Sequence, residues 1–247
     1  MPREFAVVLS FAFLVLSSTA SALTIDGFES DLVGASPAGA ASFGGLPATV
    51  QTGAGFTGGA IAATEGTQFA YLTTGPGPNG TSPSPYDKNT NGLIETDWSE
   101  MTYSFAGSAG LILSLDYDLL TEEISGGVAD IFAIILDGTI VASGAVGFAS
   151  GTFPAVTTFA TGPITGPDGS SFFDGRLGWT ALSTPLTFSG VHTLEFYVAD
   201  ESDTVVDTAL LADNIQLTPE PDTSMLLGLG LVGLVWSRRR QSRARAS

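Results

Sequence analysis

The stretch Leu111-Ile112-Leu113-Ser114-Leu115-Asp116-Tyr117-Asp118-Leu119 alternates apolar and polar residues. Leu113, Leu115, Tyr117 and Leu119 share one side, while Ser114, Asp116 and Asp118 share the other. A period of two is that of a half-buried β-strand. Residues 192–198 repeat it, with Leu194, Phe196 and Val198 in phase. The run Asp130-Ile131-Phe132-Ala133-Ile134-Ile135-Leu136 is apolar on both faces, as a central strand requires. Asp137-Gly138 follows it and precedes Thr139-Ile140-Val141, the pattern of a hairpin turn. Further strands are expected at residues 24–28, 68–73, 100–105 and 210–217.

No part of the body shows helical periodicity. Many short strands with Gly- and Pro-rich connections predict an all-β fold: one antiparallel β-sandwich of jelly-roll type over residues 23–217. Two long loops are expected. Residues 75–99 contain Pro76, Pro78, Pro83 and Pro85. Residues 147–183 carry Phe153, Phe159, Phe172, Phe173 and Trp179. Loops of such length are functional or disordered.

The chain has 247 residues, no cysteine, one histidine and a net charge of −17. Only Lys88 and Arg176 are basic between residues 23 and 218, against 22 acidic side chains in that span. A surface so acidic excludes nucleic acid as a partner, because phosphate binding rests on Lys and Arg. It favours hard divalent cations, which take oxygen ligands. Arg3, the apolar residues 5–16 and Ala20-Ser21-Ala22 read as a signal peptide over residues 1–22, cut by signal peptidase after Ala22. Without cysteine the body has no disulfides, and about 195 residues can bury a full core without them.

Enzyme constellations are largely missing. The sole histidine, His192, is in phase with strand residues Leu194 and Phe196, a position for packing rather than proton transfer. Gly147-Phe148-Ala149-Ser150-Gly151 has the wrong Gly–Ser spacing for a nucleophile elbow. With one His and no Cys, zinc sites built on those ligands are excluded. A carboxylate pair for glycoside hydrolysis remains open, but so many acids make any chosen pair uninformative.

Calcium suits the carboxylates better. Asp87-Lys88-Asn89-Thr90-Asn91-Gly92-Leu93-Ile94-Glu95 matches the first nine positions of an EF-hand-type loop. Asp87, Asn89, Asn91 and Glu95 would be its ligands, although position 12 is Trp98 instead of Glu. The alternative is a plain Asn-Gly turn. Asp213 is in phase with Leu211, Ile215 and Leu217 and should face the core, where a carboxylate needs a partner. Glu29, after the first strand, is a plausible co-ligand. The alternative is a bulge that turns Asp213 to water. The aromatics Trp98, Phe172, Phe173 and Trp179 could stack on sugars, or simply pin long loops onto the sandwich.

The carboxy end has three parts: Pro219-Glu220-Pro221, an apolar run from residue 225 to 236, and Arg238-Arg239-Arg240 with Arg243 and Arg245. Twelve residues make about 18 Å of helix. The bilayer core is about 30 Å, so a transmembrane helix over about 222–237 is marginal. The basic tail, 238–247, acts as the membrane stop and places the carboxy terminus in the cytoplasm.

These parts, in this order, resemble the PEP-CTERM sorting domain of exosortase substrates over residues 218–240. The resemblance implies export, transient inner-membrane anchoring, recognition of Pro219, Glu220 and Pro221 by exosortase, and delivery to the cell surface or extracellular matrix. The body resembles jelly-roll ectodomains of such proteins at residues 26–29, 65–75, 192–196 and 210–215. Similar jelly rolls in carbohydrate-binding modules use a Glu near the first strand and an Asp in the last for structural calcium, as Glu29 and Asp213 would. Three readings follow. The first is a non-enzymatic surface or matrix protein associated with exopolysaccharide or biofilm. The alternative is a calcium-dependent carbohydrate-binding module, and the third a secreted polysaccharide hydrolase.

Overall fold

The computed structural model describes residues 22–29, 32, 35–39, 46–75, 88, 95–122, 130–146, 157–159, 162–201 and 206–219. The residues before Ala22 that were expected to form a signal peptide, and Asp87, Asn89, Asn91, Glu220, Pro221, the segment 222–237 and Arg238 to Arg240, lie outside them. The chain divides into two units, residues 23–217 and residues 1–22 with 218–247. No helix among the described residues is long and apolar enough to cross a membrane.

Fifteen strands make up the described part: β1 (Leu23–Asp26), β2 (Ala35–Gly39), β3 (Leu46–Thr52), β4 (Gln68–Thr73), β5 (Glu95–Gly107), β6 (Leu111–Thr121), β7 (Asp130–Leu136), β8 (Thr139–Val146), β9 (Thr157–Thr158), β10 (Ile164–Thr165), β11 (Phe172–Phe173), β12 (Gly175–Arg176), β13 (Thr180–Pro185), β14 (Gly190–Glu201) and β15 (Thr208–Pro219). The described helical structure is one 3-10 turn at Gly53–Gly55. An eight-stranded sheet runs β3-β4-β15-β6-β12-β9, with β1 also on β15 and β13 also on β6. A five-stranded sheet runs β2-β5-β14-β7-β8, and β10 pairs with β11. The longest pairing joins β5 to β14 antiparallel, from Gly190 opposite Gly107 to Glu201 opposite Glu95.

The two sheets pack face to face, which makes the all-β sandwich. Leu113, Leu115, Tyr117 and Leu119 of β6 meet Phe132, Ile134, Leu194, Phe196 and Val198 of the smaller sheet in one core. The Tyr117 and Phe132 rings stack across it at 5.6 Å. Each such side chain contributes roughly 1.5–3 kcal/mol by leaving water. Outside the larger sheet, Phe69, Tyr71, Leu120, Ala209 and Leu211 form a second apolar layer with Phe56, Ile61, Ile164 and Phe173. Outside the smaller sheet, Ile131, Ala133, Ile135, Tyr197 and Ala199 form a third, packed against Trp98.

Four expectations are corrected. The long loop at 147–183 contains the short strands β9 to β12 and the start of β13, and the loop at 75–99 ends at Glu95, where β5 begins. The first strand stops at Asp26, because Phe28 adopts a left-handed φ of 59°. The phase of the last strand flips at Asn214, whose φ is 55°. Leu210 and Ala212 join the central core before that residue and Ile215 and Leu217 after it, while Leu211 lies in the outer layer. Asp213 therefore leaves the core face, although it remains buried.

Candidate carboxylate sites and the carboxy-terminal motif

Glu29 and Asp213, far apart in sequence, grip one segment, residues 64–68. Asp213 Oδ2 accepts from Thr64 N at 2.7 Å, Thr64 Oγ1 at 3.0 Å and Glu65 N at 3.0 Å. Its Oδ1 accepts from Asn214 N at 2.7 Å. Glu29 Oε1 accepts from Thr67 N at 2.7 Å and Gln68 N at 3.1 Å, and its Oε2 accepts from Thr67 Oγ1 at 3.1 Å. The Thr67 and Gln68 amides hold Glu29 below the usual carboxylate range. Burial pushes Asp213 up, opposed by the Glu65 and Thr64 amides. Four donors fill the acceptor capacity of Asp213, so backbone supplies the partner its burial requires.

Glu65 joins this group, and its position could not be read from strand periodicity. Its Oε2 is buried without a hydrogen-bond partner. A Cβ at Gly27 would lie 2.2 Å from that oxygen, and a Cβ at Gly66, where φ is +61°, would lie 2.0 Å from Glu29 Oε1. Gly66 is held to glycine by its left-handed φ, whereas a Cβ at Gly27 would require the Glu65 carboxylate to move. Three of the segments that resemble the sorted ectodomains (26–29, 65–75 and 210–215) thus meet at one place. Among the described residues no group of three or more His, Asp or Glu side chains is arranged to hold a metal ion.

The remaining candidates are spread over the fold. Glu95 is buried, accepting from Lys88 N at 2.8 Å and from Tyr197 Oη at 2.7 Å. Trp98 is half-buried and stacks on Tyr197, with ring centres 6.3 Å apart, on the outer face of the five-stranded sheet. Lys88 pairs with Glu195 beside them. Trp179 is half-buried; its Nε1 donates to Ala62 O at 2.7 Å, and its ring meets Phe69 edge-on at 5.7 Å. Phe173 is buried in the outer layer, while Phe172 is half exposed.

His192 is fully buried between Phe105 and Phe188, with Nδ1 2.7 Å from Asp137 Oδ2. Gly107 lies against the imidazole edge, where an added Cβ would come within 3.4 Å of Nε2. The ring is enclosed and a substrate cannot reach it. Arg176 forms an ion pair with fully buried Asp118, whose pKa burial still raises to about 6.

β15 ends at Pro219, the first residue of the Pro-Glu-Pro motif. The family described as the PEP-CTERM protein-sorting motif matches residues 217–240. No curated protein matches the sequence. Among solved structures, the chain is similar to the K2 cleaved adhesin domain of Lys-gingipain, at 12% identity over 80% of this chain and 98% of that one, with a TM-score of 0.47. It is similar to the K1 domain of the same protein from Porphyromonas gingivalis W83, at 9% identity over 81% and 99%, with a TM-score of 0.43. It is also similar to TmCBM61, solved in complex with beta-1,4-galactotriose, at 10% identity over 82% and 100%, with a TM-score of 0.39. At these values the likenesses assign no function. The carboxy end of the chain is a PEP-CTERM protein-sorting motif, carried behind an all-β body.

Proposed function

We propose that this is an exported, non-catalytic protein of the cell surface or extracellular matrix, associated with exopolysaccharide. Its tail holds it in the inner membrane, carboxy terminus in the cytoplasm, until exosortase processes it. The sorting motif at residues 217–240 carries this reading. The enclosure of His192 supports the non-catalytic part, since it withdraws the one imidazole of the chain from any substrate. A strain lacking exosortase is expected to keep the full-length protein in the inner-membrane fraction. Equal release with and without the enzyme, followed by immunoblot, would overturn the reading.

A second reading, a calcium-dependent carbohydrate-binding module, is favoured by the Trp98–Tyr197 pair on a sheet face that also carries Glu195 and Lys88. Aromatic faces beside polar groups suit sugar rings. In this reading calcium would take the place of the amide donors on Glu29 and Asp213 and would bind Oε2 of Glu65, which is buried without a hydrogen-bond partner. The ion would supply a cross-link between the first strand, the 64–68 segment and the last strand. Glycan-array binding abolished by Trp98→Ala, and retained by Trp179→Ala, would establish this reading. Absence of any glycan bound would remove it.

A further inference from the structure

Among the described residues five large apolar side chains stand exposed: Leu23, Ile140, Phe172, Phe188 and Val191. Four of them collect at one end of the sandwich. Leu23 pairs with Leu217, two residues before β15 ends at Pro219. Asn214 Nδ2 donates to Asp116 Oδ2, while Thr208 Oγ1 meets Thr121 Oγ1. β15 therefore runs antiparallel to β6, and its last residues reach the level of Leu111. There Leu186 bonds to Leu111 and Gly110 through the backbone, and Gly190 opens β14 opposite Gly107. Phe188 and Val191 stand in this connection. The β7–β8 turn closes the same end, because Asp137 N donates to Thr193 O and the Asp137 carboxylate holds His192. Ile140 lies just past that turn. Phe172 lies at the opposite end, its amide on Asp207 beside the start of β15.

This end is also nearly uncharged. The body carries 22 acidic side chains, yet residues 23–24, 107–111, 136–141, 185–191 and 216–219 together hold a single ionisable one, Asp137. That carboxylate is bound to His192 and to the Thr193 amide. Single exposed apolar side chains need no explanation, but a group of them on an uncharged end of an acidic body marks an interaction surface. The chain itself points to the occupant. β15 leaves the body at Pro219, and the apolar run of the tail begins at Met225. Those six residues span at most about 20 Å. With the tail anchored, this end of the body can stand no farther than that from the lipid headgroups.

We propose that this end is a bilayer-contact surface, on which Leu23, Ile140, Phe188 and Val191 rest in the outer-leaflet interface while the tail holds the chain. The inference rests on the membrane-anchored reading of the tail. Anionic headgroups repel an acidic body, and this end can approach them without setting a free carboxylate against a phosphate. Apolar side chains that enter the interface bind in proportion to the area they bury. A few of them bind weakly alone, so the contact depends on the high local concentration that the tail imposes. Severing the tail would end it and free the body.

The chain has no cysteine, so a single introduced one can carry a probe. Full-length Val191→Cys, Ile140→Cys and Phe172→Cys are each labelled with bimane and reconstituted in phosphatidylcholine vesicles, with and without nitroxide-labelled lipid. Flotation reads the anchor, and quenching by the nitroxide reads the contact. The probes at positions 191 and 140 are expected to shift to the blue and lose intensity to the nitroxide, and the probe at 172 to do neither. Two sites are used so that a label that unfolds one variant leaves the other to decide. A chain that floats with the vesicles but is quenched at neither site would overturn this inference and leave the anchor standing. A chain that does not float would overturn both. Equal quenching at position 172 would show that no end is preferred. A blue shift without quenching would assign the surface to a second copy of the chain, and either result overturns the proposal.

Discussion

Asp213 and Asp200 are both buried acids, one on each sheet, and their surroundings are opposite in kind. Asp213 sits where Asn214 flips the strand and four donors converge on it, three of them backbone amides. Asp200 sits where the sheets close and faces three further carboxylates. The first acid organises a loop and needs no counter-ion. The second holds its place against repulsion. The cost of a buried carboxylate is thus set by the donors around it, not by depth alone.

The contrast can be broken most forcefully at Asp213. Asp213→Ala is expected to cost about 2–4 kcal/mol in denaturant unfolding, because it strands several amide donors at once. A cost below ~1 kcal/mol would show that water replaces the carboxylate. The next effect, on the order of 1–2 kcal/mol, is in pH. Burial raises Asp118 to about 6 and raises Asp200 in the same direction. Groups raised in the fold stabilise it fully below their unfolded values, and that stability is lost as pH rises through the folded ones. In chelator, unfolding free energy should therefore increase as pH falls from 7.5 to about 5, and Asp200→Asn should flatten the slope. A slope of opposite sign would mean that these acids are already neutralised.

Gly66→Ala sharpens the comparison at the other site. It forces a Cβ into φ +61° and onto Glu29 Oε1, and should cost about 1 kcal/mol by thermal melting. The smallest effect is Glu29→Gln, a thermal shift below that of Gly66→Ala. Glu29 is held low by amides, so its contribution should be present at neutral pH and vanish as pH falls through its folded value. A Glu29→Gln shift equal to that of Asp213→Ala would make the two carboxylates equivalent partners.

The sequence made the long strands legible because their alternation or apolar run is strong: β4 and β7 begin and end where periodicity places them, and β6 extends two residues further. Ala35–Gly39 and Thr180–Pro185 were not legible. Each contains proline and lacks a run of β-branched or aromatic residues, so their strand character comes from pairing with β5 and β6. Glu29 and Asp213 could be singled out by residue type. Their partners could not, since backbone amides are the same in every sequence. The bulge at Asp97 and the reversal at Asn214 each move side chains between faces, and no periodicity announces them.

One consequence follows from the order of the larger sheet. β15, the last strand among the described residues, lies inside it, bonded to β1 and β4 and flanked by β6. More than two hundred residues precede that strand, so this sheet cannot close until they have been made. Late assembly of distant segments is slow, and a sheet that waits for β15 leaves its earlier strands open and threadable through a translocation channel in the meantime.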